Sequence, residues 1–235
     1  MKNCLKTMKN LAVLFVVLLM CFYSVQGCCA KTPSLRFAQI SDAHYALDQE
    51  DTSYKLLKSS PCLLDDAIQQ VNKTSNIDFT IFTGDLINLP KEKDLMSFIA
   101  HANLLNTPWY PVLGNHDTSP TESLTKQKFF DIICCHNKDF CYKNKYYSFT
   151  PKKGYKVIVL DTIFDDKRCS NGTISDEQLS WLKDELSVSK GDIVLIFTHV
   201  PVVEPYPSEN HRLLNSYDLK LLLKKFDNPI IVCSG

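Results

Sequence analysis

Short apolar runs recur along this chain, separated by stretches in which apolar residues return every three or four positions. The runs are rich in β-branched and aromatic residues and predict strands at Leu35 to Ser41, Ile77 to Thr83, Trp109 to Leu113, Tyr146 to Thr150, Tyr155 to Leu160, Ile193 to Thr198 and Pro229 to Cys233. The longer periodic stretches predict helices at Pro61 to Thr74, Glu92 to Leu105, Leu124 to Ile133, Ser175 to Leu186 and Ser216 to Lys225. Ser175 reads as an N-cap, with Gln178 three residues on, two acids in the first turn, and Leu179, Leu182 and Leu186 at helical spacing. Trp181 on that helix reads as core, and Pro120 to Glu122 read as the opening of the Leu124 helix. Strands alternating with helices predict an α/β domain.

The first residues follow a different grammar. Lys2, Lys6 and Lys9 precede an apolar run of 13 residues from Leu11 to Tyr23, and Ser24-Val25-Gln26-Gly27-Cys28 follow. A membrane span needs about 20 apolar residues, so residues 1–27 read as an export signal peptide. Val25-Gln26-Gly27-Cys28 resembles a bacterial lipobox, apart from the bulk of Gln26, and leaves two readings. Either Cys28 is lipidated and attaches the chain to a membrane in the periplasm or cell envelope, or the chain is secreted. Asn72-Lys73-Thr74 and Asn171-Gly172-Thr173 are glycosylation sequons, which count only in a eukaryotic host.

Composition narrows the partners more than the fold. Of 235 residues, 45% are hydrophobic and 22% charged, with Lys plus Arg equal to Asp plus Glu at 26 each, which suits one domain and argues against nucleic-acid binding. Ten cysteines are many, and in an oxidising compartment Cys134, Cys135, Cys141 and Cys169 are placed to form disulfides around one loop. His136 among them raises the rival reading of a small zinc site, but Cys-Cys-His-x4-Cys is not a common zinc spacing.

The candidate chemistry sits where strands end. Leu35 to Ser41 runs into Asp42-Ala43-His44, Ile77 to Thr83 into Gly84-Asp85, Trp109 to Leu113 into Gly114-Asn115-His116-Asp117, and Ile193 to Thr198 into His199. Open α/β sheets collect ligands beyond the carboxyl ends of their strands, so these residues share one rim. Carboxylate, amide and imidazole donors together suit manganese, zinc or iron and not calcium. Taken singly, Asp42-x-His44 is a plausible turn, Gly84-Asp85 a common loop dipeptide and His199 a core histidine. The ordered series is what points to metal. His101 reads as a surface residue, Asp161 as structural, and His211 as a residue near substrate.

Asp-x-His, Gly-Asp, Gly-Asn-His-Asp and His in this order resemble the calcineurin-like metallophosphoesterases, and the resemblance runs from about Leu35 to Gly235. Thr198-His199-Val200-Pro201 and the stretch Gly172 to Leu182 are similar to the exported and cyclic-nucleotide phosphodiesterase branch. The resemblance implies a four-layer αββα sandwich of two mixed β-sheets flanked by helices. It also implies two transition-metal ions, manganese, iron or zinc, that acidify a shared water for in-line attack on phosphomonoesters or phosphodiesters. Asp42 and His44 would hold one ion, Asn115 and His199 the other, and Asp85 both. His116 would protonate the leaving oxygen, with Asp117 orienting it. The family's final Gly-His-x-His is represented only by Gly235, so the domain over 35–235 is expected to be incomplete, to bind metal weakly and to turn over slowly. Two other functions stay open: an exported lipoprotein with a degenerate site that acts by binding, and a nucleotide-diphosphate or lipid head-group hydrolase of the same fold.

Overall fold

The computed structural model describes residues 33–141 and 144–235. The expected leader and Cys28 lie outside the described residues. In chain order the elements are β1 (Phe37–Ile40), α1 (Ser60–Lys73), β2 (Phe79–Thr83), α2 (Glu92–Ala102), β3 (Trp109–Val112), α3 (Lys126–His136), β4 (Tyr147–Phe149), β5 (Tyr155–Val159), α4 (Asp176–Val188), β6 (Ile193–Thr198), α5 (Ser216–Leu223) and β7 (Ile230–Ser234).

β1, β2 and β3 form a parallel sheet in that order, with Phe37 opposite Phe79 and Thr80 opposite Trp109. The second sheet runs β4-β5-β6-β7, with β4 antiparallel to β5 and the others parallel. β2 is buried along its whole length, as a central strand covered on both faces must be. One face meets the other sheet: Phe79 packs edge-on against Phe149 and Phe197, with ring centroids 5.5 and 6.4 Å away. The other meets a helix, where Phe82 and Trp109 pack on Phe98 of α2. Helix, sheet, sheet and helix are therefore the four expected layers, and all parallel strands end at one rim.

Three local expectations are corrected. α3 starts at Lys126 and not at Leu124, and Thr125 opens it in place of Pro120 to Glu122, because the Ser119 amide donates to the Leu124 carbonyl and closes a turn, and the Thr125 hydroxyl then caps the amide of Lys128. Ser175 does cap α4 through the amide of Gln178, but the Gln178 side chain turns away and bonds both backbone groups of Asp161, at 2.8 Å each. His101 is half-buried, 2.6 Å from Asp65 with its ring against Tyr45. Trp181 is partly buried and packs on the core and on Tyr146. Asp161 has the expected structural role, forming a buried ion pair with Lys126 at 2.7 Å.

The cysteines do not behave as expected. Cys135, Cys141 and Cys169 carry free thiols, as do Cys62 and Cys233, while Cys134 packs against the core. Cys134 and Cys135 are neighbours on α3, where successive side chains diverge by about 100°. Among the described residues, none of these cysteines joins a cluster able to hold a metal ion.

Candidate active site

The loops after β1 and β2 run side by side. The amides of Asp42, His44 and Tyr45 donate to the carbonyls of Gly84, Asp85 and Leu86. Asp42, His44 and Asp85 all take the left-handed backbone conformation, with φ of 53°, 41° and 51°. Each costs of order 1–3 kcal/mol and persists only where the surroundings enforce it, as they do at functional sites. Here the strain turns three side chains from adjacent loops to one point.

The His44 Nε2 atom lies 3.7 Å from Asp42 Oδ1 and 3.6 Å from Asp85 Oδ2. On the other side of Asp85, His199 Nε2 lies 3.6 Å from Oδ1 and 3.2 Å from Asn115 Oδ1. Two donors bound tetrahedrally to one ion at about 2.1 Å are roughly 3.4 Å apart, so these separations suit an ion on each side of Asp85. The donors that lie within 4.8 Å of one another form two triads, His44-Asp85-His116 and Asp42-Asp85-His199, with Asp85 in both. Asp42 approaches both groups, since its carboxylate also lies beside His44. Asp85 is itself buried, and apart from the His116 amide at 2.7 Å its close neighbours are imidazoles.

Absent side chains make room for this approach. A Cβ on Gly84, at φ +95°, would fall 2.4 Å from His199 Nδ1, and one on Gly114 would fall 2.0 Å from the Asp85 amide nitrogen. His199 Nδ1 donates to the Thr83 carbonyl at 2.9 Å, which leaves the lone pair on Nε2, the nitrogen facing Asp85. Burial, more than any neighbouring charge, lowers the His44 pKa to about 4, so its imidazole is neutral near pH 7 and fit to ligate.

Asp117 departs from its expected role. Its oxygens accept from the amides of Ile87 at 3.0 Å and Gly114 at 2.8 Å, and none reaches the His116 ring. Its complete burial, reinforced by the charge of Asp85, pushes its carboxyl well upward against the pull of those amides. His116 is oriented instead by two neighbours of Nδ1, the Asn88 carbonyl at 2.7 Å and the Arg168 guanidinium at 2.6 Å. Arg168 donates to the same carbonyl at 3.2 Å and to that of Asn115 at 3.1 Å, pinning the two loops together. Neither Asn88 nor Arg168 stands out in the sequence, although Asn88 is the first polar residue after Gly84-Asp85 and its apolar pair. His211, at φ 61°, lines a cavity of ≈ 550 Å³ above the cluster, together with Lys55, Tyr54 and Tyr206.

The sequence matches the calcineurin-like phosphoesterase family over residues 35–235. The chain belongs to that family. As a calcineurin-like phosphoesterase it is a hydrolase of phosphoric ester bonds, and the family depends on a dinuclear metal centre. It is 23% identical over 259 residues to the manganese-dependent ADP-ribose/CDP-alcohol diphosphatase of Arabidopsis thaliana, a match covering 89% of this chain and 81% of that protein. Over 211 residues it is 22% identical to the 3',5'-cyclic adenosine monophosphate phosphodiesterase CpdA of Haemophilus influenzae, covering 88% and 70%. In fold it is similar to a dimetal phosphatase from Danio rerio, with a TM-score of 0.65 at 20% identity over 86% of this chain and 80% of that one.

Proposed function

We propose that this phosphoesterase holds two manganese ions between Asp42, His44, Asp85, Asn115 and His199 and hydrolyses small phosphorylated substrates outside the cytoplasm. One observation carries the reading. The two oxygens of Asp85 face two different imidazoles at the same separation of 3.6 Å, as a carboxylate shared between two ions must. Manganese is preferred over iron and zinc because the Arabidopsis relative is described as manganese-dependent. The reading of residues 1–27 as a leader and of Cys28 as a lipidation site supports export, with N-terminal sequencing of the mature protein as its check.

When bound, the metal pair supplies Lewis acidity toward the phosphate and a nucleophilic water at neutral pH. The residues do the rest. Asp42 and Asp85 bring the negative charge that holds cations in place, while Asn115 adds an oxygen donor without adding charge. The Thr83 carbonyl keeps the His199 proton on Nδ1. His116, whose Nδ1 faces the Asn88 carbonyl, keeps its other ring nitrogen for a proton passed to the leaving oxygen.

The test is metal content and turnover of bis(p-nitrophenyl) phosphate, measured on the full chain with manganese, zinc or iron. Asp85→Ala is expected to remove both ions and to lower kcat/KM by more than about 10³-fold. Retention of two ions, or of turnover, in Asp85→Ala would sink the assignment.

A further inference from the structure

Among the described residues, the side-chain carboxylates lining the cavity over the cluster are those of the candidate ligands Asp42 and Asp85, and the lysine lining it is Lys55. Lys55 sits on the loop between β1 and α1, with Nζ 3.2 Å from Asn88 Oδ1 and 3.2 Å from His44 Nδ1. Both neighbours are neutral groups. The amide of Asn88 is itself fixed, since its Nδ2 donates to Gln49 at 2.6 Å and Gln49 donates on to Asp94 at 3.4 Å. The acceptor that holds Lys55 is therefore set by a chain of side chains behind the cavity wall. An ammonium has three donors; with His44 ligating through Nε2, its Nδ1 keeps the proton and does not accept, so the bond to Asn88 leaves two donors for whatever enters the cavity. Charge is placed as purposefully. Several other lysines pair directly with acids, as Lys58 with Glu50, Lys93 with Asp48 and Lys156 with Glu185. Lys55 is held half-buried by neutral atoms, with the carboxylates of Asp85 and Asp42 near enough to favour its charge until cations occupy the site.

The position along the cavity matters too. One edge of the His44 ring, Nε2, faces Asp42 and Asp85; the opposite ring nitrogen, Nδ1, touches Lys55. The ammonium is thus a single imidazole away from the cluster, which suits an anionic group directly joined to the phosphate under attack. Beyond it the mouth carries the exposed rings of Tyr54 and Tyr206, where an organic group on the far side would lie.

We infer that Lys55 receives the second phosphate of the substrate, and that this cavity prefers diphosphate-linked molecules to simple phosphate esters. The inference rests on the two-metal site proposed above, which would take the adjoining phosphate. Charge-assisted hydrogen bonds of this kind are the strong ones, and losing one costs about tenfold or more in affinity.

The experiment is calorimetric binding of non-hydrolysable phosphonate analogues of ADP and AMP to the manganese-loaded full chain, in which the shared adenosine cancels. Lys55→Met, which keeps the aliphatic stem, is expected to weaken the ADP analogue about tenfold and the AMP analogue less than threefold, and Lys55→Arg to restore most of the difference. Equal weakening of both analogues would make Lys55 a support for His44 and overturn the inference, as would no weakening of either. If the unmodified chain binds neither analogue with metal present, the two-metal reading itself fails first, and that result is distinct from any seen with Lys55 variants.

Discussion

The two sheets furnish the site by different means. The loops after β1, β2 and β3 deliver Asp42, His44, Asp85, Asn115 and His116 at close quarters, with three of those residues in strained conformations and the loops cross-linked by backbone bonds. The β4–β7 sheet delivers His199 from the end of β6, unstrained, and seats it by shape: it lies against Gly84, and one bond to the Thr83 carbonyl sets its tautomer. One half stores conformational energy and the other depends on a fit. The dinuclear centre proposed at the seam therefore needs the halves held in register more than it needs either half to be stable alone.

The largest expected break in that register comes from Lys126→Met. Lys126 on α3 follows the first sheet and pairs at 2.7 Å with Asp161, which follows β5 of the second, both side chains being less than a tenth exposed. The variant leaves a buried carboxylate unpaired, and unfolding in denaturant should show a loss of about 3–5 kcal/mol. A loss under 1 kcal/mol would mean that the sheets are held by the Phe79 aromatic cluster and not by this pair. Gly84→Ala strikes the fit itself. Its Cβ overlaps the His199 ring at a backbone angle that L side chains rarely adopt, so stability should fall by roughly 1–3 kcal/mol. The loss of metal should be greater on the His199 side than on the His44 side, which manganese titration with two resolved affinities would reveal.

The smallest effect sharpens the contrast through pH. The folded metal-free chain holds His44 at about 4, below its ordinary 6.5, chiefly because of burial. Between those values the unfolded chain binds the extra proton and the folded one does not, so His44 lowers stability as pH falls from about 6.5 to 4 and has no effect above that window. Urea unfolding of the metal-free chain across this range should show the slope, and His44→Gln should flatten it by of order 1 kcal/mol. An unchanged slope would locate the titrating burden elsewhere.

Much of this was legible in the residues. Seven apolar runs became seven strands with ends shifted by a few residues, because buried parallel strands and amphipathic helices write strong periods. The rim could be read because parallel strands all end on one side, so strand-terminal Asp, Asn and His residues converge whatever their sequence separation. What could not be read depends on side-chain direction within loops. Asp117 follows His116 directly, yet its carboxylate faces backbone amides and the neighbouring loop orients the imidazole. Lys55 and Arg168 belong to loops with no motif, and only the closed fold brings them to the site. The start of α3 lies two residues beyond Leu124 because Pro120 to Glu122 imitate a helix opening that Thr125 takes over.

The Asp117 carboxylate has a further consequence for how the rim moves. By accepting from both Ile87 and Gly114 it sutures the loop after β2 to the loop after β3 from beneath, fully out of solvent. Loop amides ordinarily exchange with deuterium in brief local openings, but neither of these can open without releasing the other and baring a buried acid. The Ile87 and Gly114 amides should therefore exchange at one common slow rate. The rim would then open as a single hinged plate and not as two separate flaps.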